Sequence, residues 1–203
     1  VGGTGLYFKA LTDGLTEIPS IPSKIRKKIR LLQKSIGQKN FYKKLLDTDP
    51  SIKNHISSTD VQRSLRAYEV KLFTKKSIIE WYKTTKAKFK KTEFIKLYID
   101  YPRSELIDKI NIRTKEMLKR GAVNEVKKFL NLRISENRSI SKAIGITEIE
   151  DFINKKIVNA EVIEKISIKT RQYAKRQVTW ARGHMSSWKK IKAKNLNSFL
   201  KKI

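Results

Sequence analysis

Residues 159–182 read NAEVIEKISIKTRQYAKRQVTWAR, a run with neither glycine nor proline, and its spacing predicts one long helix. Arg171, Lys175 and Arg182 share one face with Gln172, Arg176 and Thr179 beside it, while Ile163, Ile166, Tyr173 and Val178 supply an apolar side. Gly183 is read as the stop. Cations interleaved with Tyr173 and Trp180 suit neutralisation of a phosphate backbone and stacking of an unpaired base, whereas the simpler fate of Trp180 is a core side chain.

The charge continues outward from this helix. After Glu164 the last 39 residues hold 12 lysines and arginines and no acidic residue. The chain of 203 residues carries 47 Lys+Arg against 19 Asp+Glu, a net +28, and such self-repulsion calls for a polyanionic partner, nucleic acid first. A compositional bias toward Lys (35) and Ile (26) would also scatter lysine over the surface. It would not strip a tail of acids, so the tail reads as an anion-facing surface. Hydrophobic residues at 39% are enough for a folded core. No apolar run reaches the roughly 18–20 residues of a membrane span, and the start lacks a signal-peptide pattern, so a cytoplasmic protein with no membrane partner is expected. With no cysteine and only His55 and His184, thiol chemistry and a histidine-based metal cage are excluded.

The remaining pattern is mainly helical with one or two β-strands. Residues 4–14 form a short helix ending at Gly14, and two prolines in TEIPSIPSKIR (16–26) mark a boundary. From Ser23 to about Lys76 helical segments follow with short loops, a small helical lobe. Residues 77–92, rich in lysine, read as a fraying helix end and linker, and FIKLYID (94–100) as a strand stopped by Pro102. Ser104 is placed to cap a helix running to Arg120 and ending at Gly121. Helices at about 122–131 and 140–153 precede the long one.

Three local motifs invite chemistry, each beside a plainer reading. The opening GGTG, Gly2 to Gly5, lets backbone amides approach an anion or a base, or is simply a tight turn. Such turns follow a strand, and Val1 is no usual initiator, so an upstream segment is expected. Arg113 falls on the stripe of Leu106, Ile110 and Met117, where a guanidinium needs a partner: a structural ion pair or a phosphate clamp. Gln62, Arg63 and Arg66 lie within about one helical turn, fit for phosphates and a base edge or for a solvated face.

Taken in order, GGTGLYFKALTDGL (2–15), IPSKIR (21–26), DVQRSLRAYEV (60–70), INIRTKEMLKRGAVNEV (110–126), KAIGITEI (142–149) and TRQYAKRQVTWAR (170–182) closely resemble the tRNA dimethylallyltransferase family. The resemblance spans nearly all of these residues and corresponds to the later part of such an enzyme. The family's P-loop and the Asp that acts as general base have no counterpart, and no GxxxxGK[ST] occurs. The resemblance implies a truncated α/β P-loop-type core: 1–19 its start, 20–90 an inserted helical lobe that binds tRNA, and 91–203 the return to the core with a basic tail.

It further implies transfer of a dimethylallyl group from dimethylallyl diphosphate to N6 of the adenine next to the anticodon, with Mg²⁺ as cofactor and the anticodon arm as partner. Thr4 matches the residue that positions the amine, and Arg113 the one near the diphosphate. Arg26, Gln62, Arg63, Arg66, Lys175, Arg176, Gln177, Thr179, Trp180 and Arg182 match tRNA-contacting segments. By the same likeness the chain is expected to be a monomer that binds tRNA, with little or no catalysis unless a missing N-terminal fragment is supplied. A non-catalytic basic RNA-binding module and a decayed gene fragment are the alternatives. Three departures stand out: Ser57, Ser58 and Thr59 replace the family's His-Pro-Asn before Asp60, Gly145-Ile146-Thr147 lacks its aromatic and cation, and Lys109 stands where arginine is usual.

Overall fold

The structure is a computed structural model that describes residues 3–135 and 138–201; Val1 and Gly2, the first glycine of the GGTG turn, lie outside the described residues. The chain divides into two compact units, one of Leu6–Phe94 and one of Val1–Gly5 with Ile95–Ile203.

The first unit is helical: α1 (Gly5–Thr12), α2 (Ser23–Thr48), α3 (Val61–Thr74) and α4 (Ile78–Lys83). Pro22 ends the preceding coil and starts α2. Ile25, Ile29, Leu32 and Ile36 recur at helical spacing and turn toward a core that holds Phe41, Leu45, Ile52 and Val70. Gly37 breaks the helix in mid-course with φ 75° and ψ 163°, a backbone state that costs glycine little and other residues much, so α2 is kinked there. Its second half packs on α3, where Phe41 meets Tyr68 edge-on with ring centroids 5.2 Å apart.

The 77–92 stretch differs from the expected linker. Ser77 and Glu80 form a reciprocal capping box that starts α4, and Ile78 is 3% exposed in the core. The hydroxyls of Thr16 and Thr85 bond to one another, tying the segment after α1 to the segment after α4. High lysine content concealed a helix that its cap, the buried Ile78 and the half-buried Ile79 and Trp81 hold against the core.

The second unit contains β1 (Leu97–Asp100), α5 (Arg103–Lys119), α6 (Ala122–Asn131), α7 (Ile146–Ile153), α8 (Asn159–His184), β2 (Lys189–Lys192) and α9 (Leu196–Leu200). The strands pair in parallel, Leu97 opposite Lys189 through Asp100 opposite Lys192. Parallel neighbours need a long crossover, and α5 to α8 supply it. Ala122, Val126, Ile149, Val162 and Ile166 form the core of this unit, with Met117 and Leu118 against it. Among the described residues the architecture is thus mainly α with two parallel strands, a truncated α/β fold.

Three boundaries depart from expectation. The cap of α5 is Pro102, not Ser104, because the preset proline backbone starts the helix at Arg103. The 140–153 helix splits into a short 3₁₀ turn at Ile140–Lys142 and α7, whose start is fixed by the buried Glu148 accepting the Gly145 N–H at 2.9 Å and pairing with Lys169. Gly183 does not end α8, which runs to His184. The His184 Nδ1 lies 2.9 Å from the Trp180 carbonyl, and the two rings stack 4.3 Å apart, completing the last turn.

Candidate nucleic-acid interface

In the second unit Gly3 and Gly5 rest on α8. A Cβ added to Gly3 would lie 2.3 Å from Gln177 Nε2, and one added to Gly5 would lie 2.2 Å from the indole of Trp180. Gly5 is therefore needed for close approach to a ring rather than for flexibility, whereas the amide facing Gly3 is the movable end of a side chain. Thr4 sits between these two contacts with its side chain exposed. Trp180 is half-buried, stacked on His184 on one side of its ring system's surroundings and against the turn at Gly5. It is neither a core residue nor a free stacking plate; it is the floor under the turn that carries Thr4.

Along the same helix Lys175, Arg176, Thr179 and Arg182 are exposed, and Gln177 is half-buried under Gly3. The Thr179 hydroxyl donates to the Lys175 carbonyl at 3.0 Å. Tyr173, expected on the apolar side, is 43% exposed instead, with the Arg176 guanidinium 5.6 Å from its ring centroid. The buried face of α8 is made by Val162, Ile166, Ser167 and Ala181. The pair Tyr173–Arg176 offers a planar surface and a cation together, a combination suited to an unpaired base beside its phosphate.

Arg113 does not lie in a buried stripe. The inward positions of α5 are Ile110 and Thr114, and Arg113 is exposed. It needs no buried ion pair, so the structural reading of that arginine falls, and its guanidinium is accessible to an anion. Nearer the start of α5, the Lys109 ammonium lies 4.8 Å from the Tyr101 ring centroid. Its pKa is raised, first by a hydrogen bond to Tyr101, then by the charge interaction with the same residue. The pattern of cations alone did not reveal Tyr101; a tyrosine just past the strand end, eight residues before a lysine, was the available signal.

In the first unit Arg26 is exposed on α2, and Gln62 and Arg63 are exposed at the start of α3. Asp60 caps α3 by accepting the Arg63 N–H at 3.0 Å, and it also accepts from Arg63 Nη1 at 2.9 Å. The turn survives the Ser57-Ser58-Thr59 replacement: Asp60 N–H donates to the Ser57 carbonyl at 3.0 Å, and Gln38 Nε2 donates to the Ser58 carbonyl at 2.8 Å. Arg66 is half-buried one turn on. Ile146, where an aromatic was missed, packs on the core instead of facing out.

A mainly helical chain with a parallel-stranded α/β unit, a separate helical lobe and cations ranged along long helices defines the class. The IPP transferase family model matches residues 1–184. A tRNA dimethylallyltransferase of Pelagibacter ubique (strain HTCC1062) is 52% identical over 203 residues, covering all of this chain and 65% of that protein. One from Agrobacterium fabrum is 40% identical over 193 residues, 94% of this chain and 65% of the relative. Among solved structures, a eukaryotic dimethylallyltransferase acting on tRNA superposes with TM-score 0.70 at 26% identity, over 89% of this chain and 46% of that one. The tRNA delta(2)-isopentenylpyrophosphate transferase of Staphylococcus epidermidis gives 0.53 at 28%, over 95% and 62%. The chain belongs to the IPP transferase family, and it spans about 65% of the length of the two curated relatives.

Proposed function

We propose that this chain grips the anticodon arm of a tRNA and lines part of the channel in which dimethylallyl diphosphate alkylates N6 of the adenine next to the anticodon. The observation that carries this reading is the seat of Gly3 and Gly5 on Gln177 and Trp180, which holds Thr4 exposed beside a basic helix. To reach such a channel the adenine must leave its stack, at a cost of a few kcal/mol that contacts to the arm offset. Lys175, Arg176, Thr179 and Arg182 on α8, and Arg26, Gln62, Arg63 and Arg66 on the lobe, are assigned that work.

In the reaction the N6 lone pair forms a bond to the prenyl C1 as the C1–oxygen bond breaks. Diphosphate leaves with the bonding electrons, and the amine proton passes to a base. The Thr4 hydroxyl orients the amine, and the exposed Arg113 guanidinium stabilises charge on the departing diphosphate. The donor-holding P-loop and the base that the family likeness implies have no counterpart among these 203 residues. Among the described residues no three His, Asp or Glu side chains gather to hold a metal; Mg²⁺ is implied by the family likeness alone, and no step is routed through it. No helix among the described residues is long and apolar enough to cross a membrane; the assignment to the cytoplasm, as a monomer, rests on the family likeness.

Mass spectrometry of tRNA incubated with dimethylallyl diphosphate and Mg²⁺ tests this directly. The chain alone should form little or no isopentenyl-adenosine, and adding the part of the Pelagibacter ubique relative that it does not cover should restore turnover. Thr4→Val and Arg113→Ala should each abolish the restored activity. If neither matters while tRNA still binds, the chain is a non-catalytic RNA-binding module.

A further inference from the structure

The helical lobe contains a cavity of about 200 Å³ lined by His55, Ile56, Arg63, Arg66, Ile78, Ile79 and Tyr82. Its chemistry is divided. Ile56 and Ile78, 7% and 3% exposed, give an apolar wall, while Arg63 and Arg66 bring two guanidinium groups from α3. Tyr82 on α4 is 55% exposed although it borders this wall, and the His55 imidazole is exposed beside it. Asp60 accepts from the Arg63 Nη1 at 2.9 Å, so Arg66 is the guanidinium left to a ligand's phosphate. Arg66, one turn further along, lines the same cavity.

An apolar wall, an aromatic ring at the edge and cations on one side match a heteroaromatic ring joined to a phosphate. The volume is below the roughly 300–1,000 Å³ of drug-sized sites, which suits a single base rather than a folded segment or a dinucleotide. A lipid headgroup would leave the isoleucine wall without a partner. We propose that this cavity is a secondary nucleotide pocket that takes one unpaired base of the bound RNA, stacked on Tyr82, with the adjoining phosphate on Arg66 and the base edge within reach of His55. The proposal rests on the reading of the chain as a tRNA binder and assigns Tyr82 and His55 a part that the arginines alone do not provide. The cavity lies within Leu6–Phe94, whereas Thr4 belongs to the other unit.

The test uses the whole chain and two fluorescent RNAs with the same stem, one closed by an unpaired loop bearing 2-aminopurine and one a blunt duplex. Wild type should bind the looped RNA more tightly and quench the 2-aminopurine through stacking. Tyr82→Ala should lose about tenfold in affinity for the looped RNA, the scale of one stacked base, lose the quenching, and bind the duplex as before; Tyr82→Phe should restore both. Equal looped-RNA affinity and equal quenching in wild type and Tyr82→Ala would overturn the pocket while leaving the tRNA reading intact. Absence of any looped-RNA binding by wild type would overturn both. If Tyr82→Ala destabilises the lobe, quenching at a matched bound fraction still decides, because a merely structural tyrosine would leave it unchanged.

Discussion

A methyl group on Gly5 would lie 2.2 Å from the six-membered ring of Trp180, and one on Gly3 equally close to the tip of Gln177, yet the two substitutions are not equivalent. Gln177 ends in a flexible amide that can move aside. Trp180 is held by its stack on His184 and by the helix beneath it. Gly5→Ala should therefore lift the turn off α8, cost about 1–3 kcal/mol through overpacking, and reduce complemented prenyl transfer at least tenfold, whereas Gly3→Ala should retain most activity; isopentenyl-adenosine yield under matched conditions measures both. Lys109 supplies a second test at this scale. With its pKa raised by Tyr101, the ammonium persists to higher pH than an ordinary lysine's. Any stabilisation it contributes is complete below the unfolded-state pKa and lost as pH rises through the folded value. Tyr101→Phe should move the Lys109 titration back toward the ordinary lysine value, read from its side-chain resonances by NMR.

At the scale of elements, apolar spacing explains which expectations held. Long amphipathic runs were legible: α2, α3, α5, α6 and α8 follow from apolar spacing because each must bury one stripe against a neighbour. The strand at 97–100 was legible from its β-favouring residues and the proline after it. The helix α4 was not, although Ser77 and Glu80 stand at capping-box spacing, because six residues are too few for Ile78, Ile79 and Trp81 to show a repeating stripe and lysines surround it. Ser77 is 1% exposed, accepts the Ile79 N–H at 3.2 Å, and shares a hydrogen bond with Ser51. Ser77→Ala should cost about 1–2 kcal/mol, the upper range for an N-cap, and lower the urea midpoint without altering the slope of the transition. Arg113 shows the converse error. It falls near the stripe on a helical wheel, but the buried angular sector of α5 is narrow and centred on Ile110 and Thr114, a fact that only the packing of neighbouring helices determines.

For the whole molecule, the partition of the chain was only partly legible. Prolines at 19 and 22 suggested a boundary near residue 20, while the compact unit in the structure comprises Leu6–Phe94 and the first five residues group with those beyond 95. That grouping arises from the contact of Gly3 and Gly5 with α8, a pairing of residues more than 170 positions apart that no local pattern encodes. The net charge of +28, by contrast, was plain from composition, and it has a quantitative consequence. The logarithm of tRNA affinity should fall linearly with the logarithm of salt concentration, by roughly 0.7–0.9 per phosphate neutralised. Replacing Lys175, Arg176 and Arg182 by glutamine should flatten the slope by about 2–3 if each contacts one phosphate. Fluorescence anisotropy across a salt series gives both values.

Charge alone would make any polyanion a partner; the proposed grip on an anticodon arm requires shape as well. The measurement that separates these is competition: labelled tRNA bound to the chain, titrated with heparin and with unlabelled tRNA at equal total charge. The account predicts that unlabelled tRNA displaces the label at far lower charge concentration than heparin does, and displacement by both at the same charge concentration would contradict it.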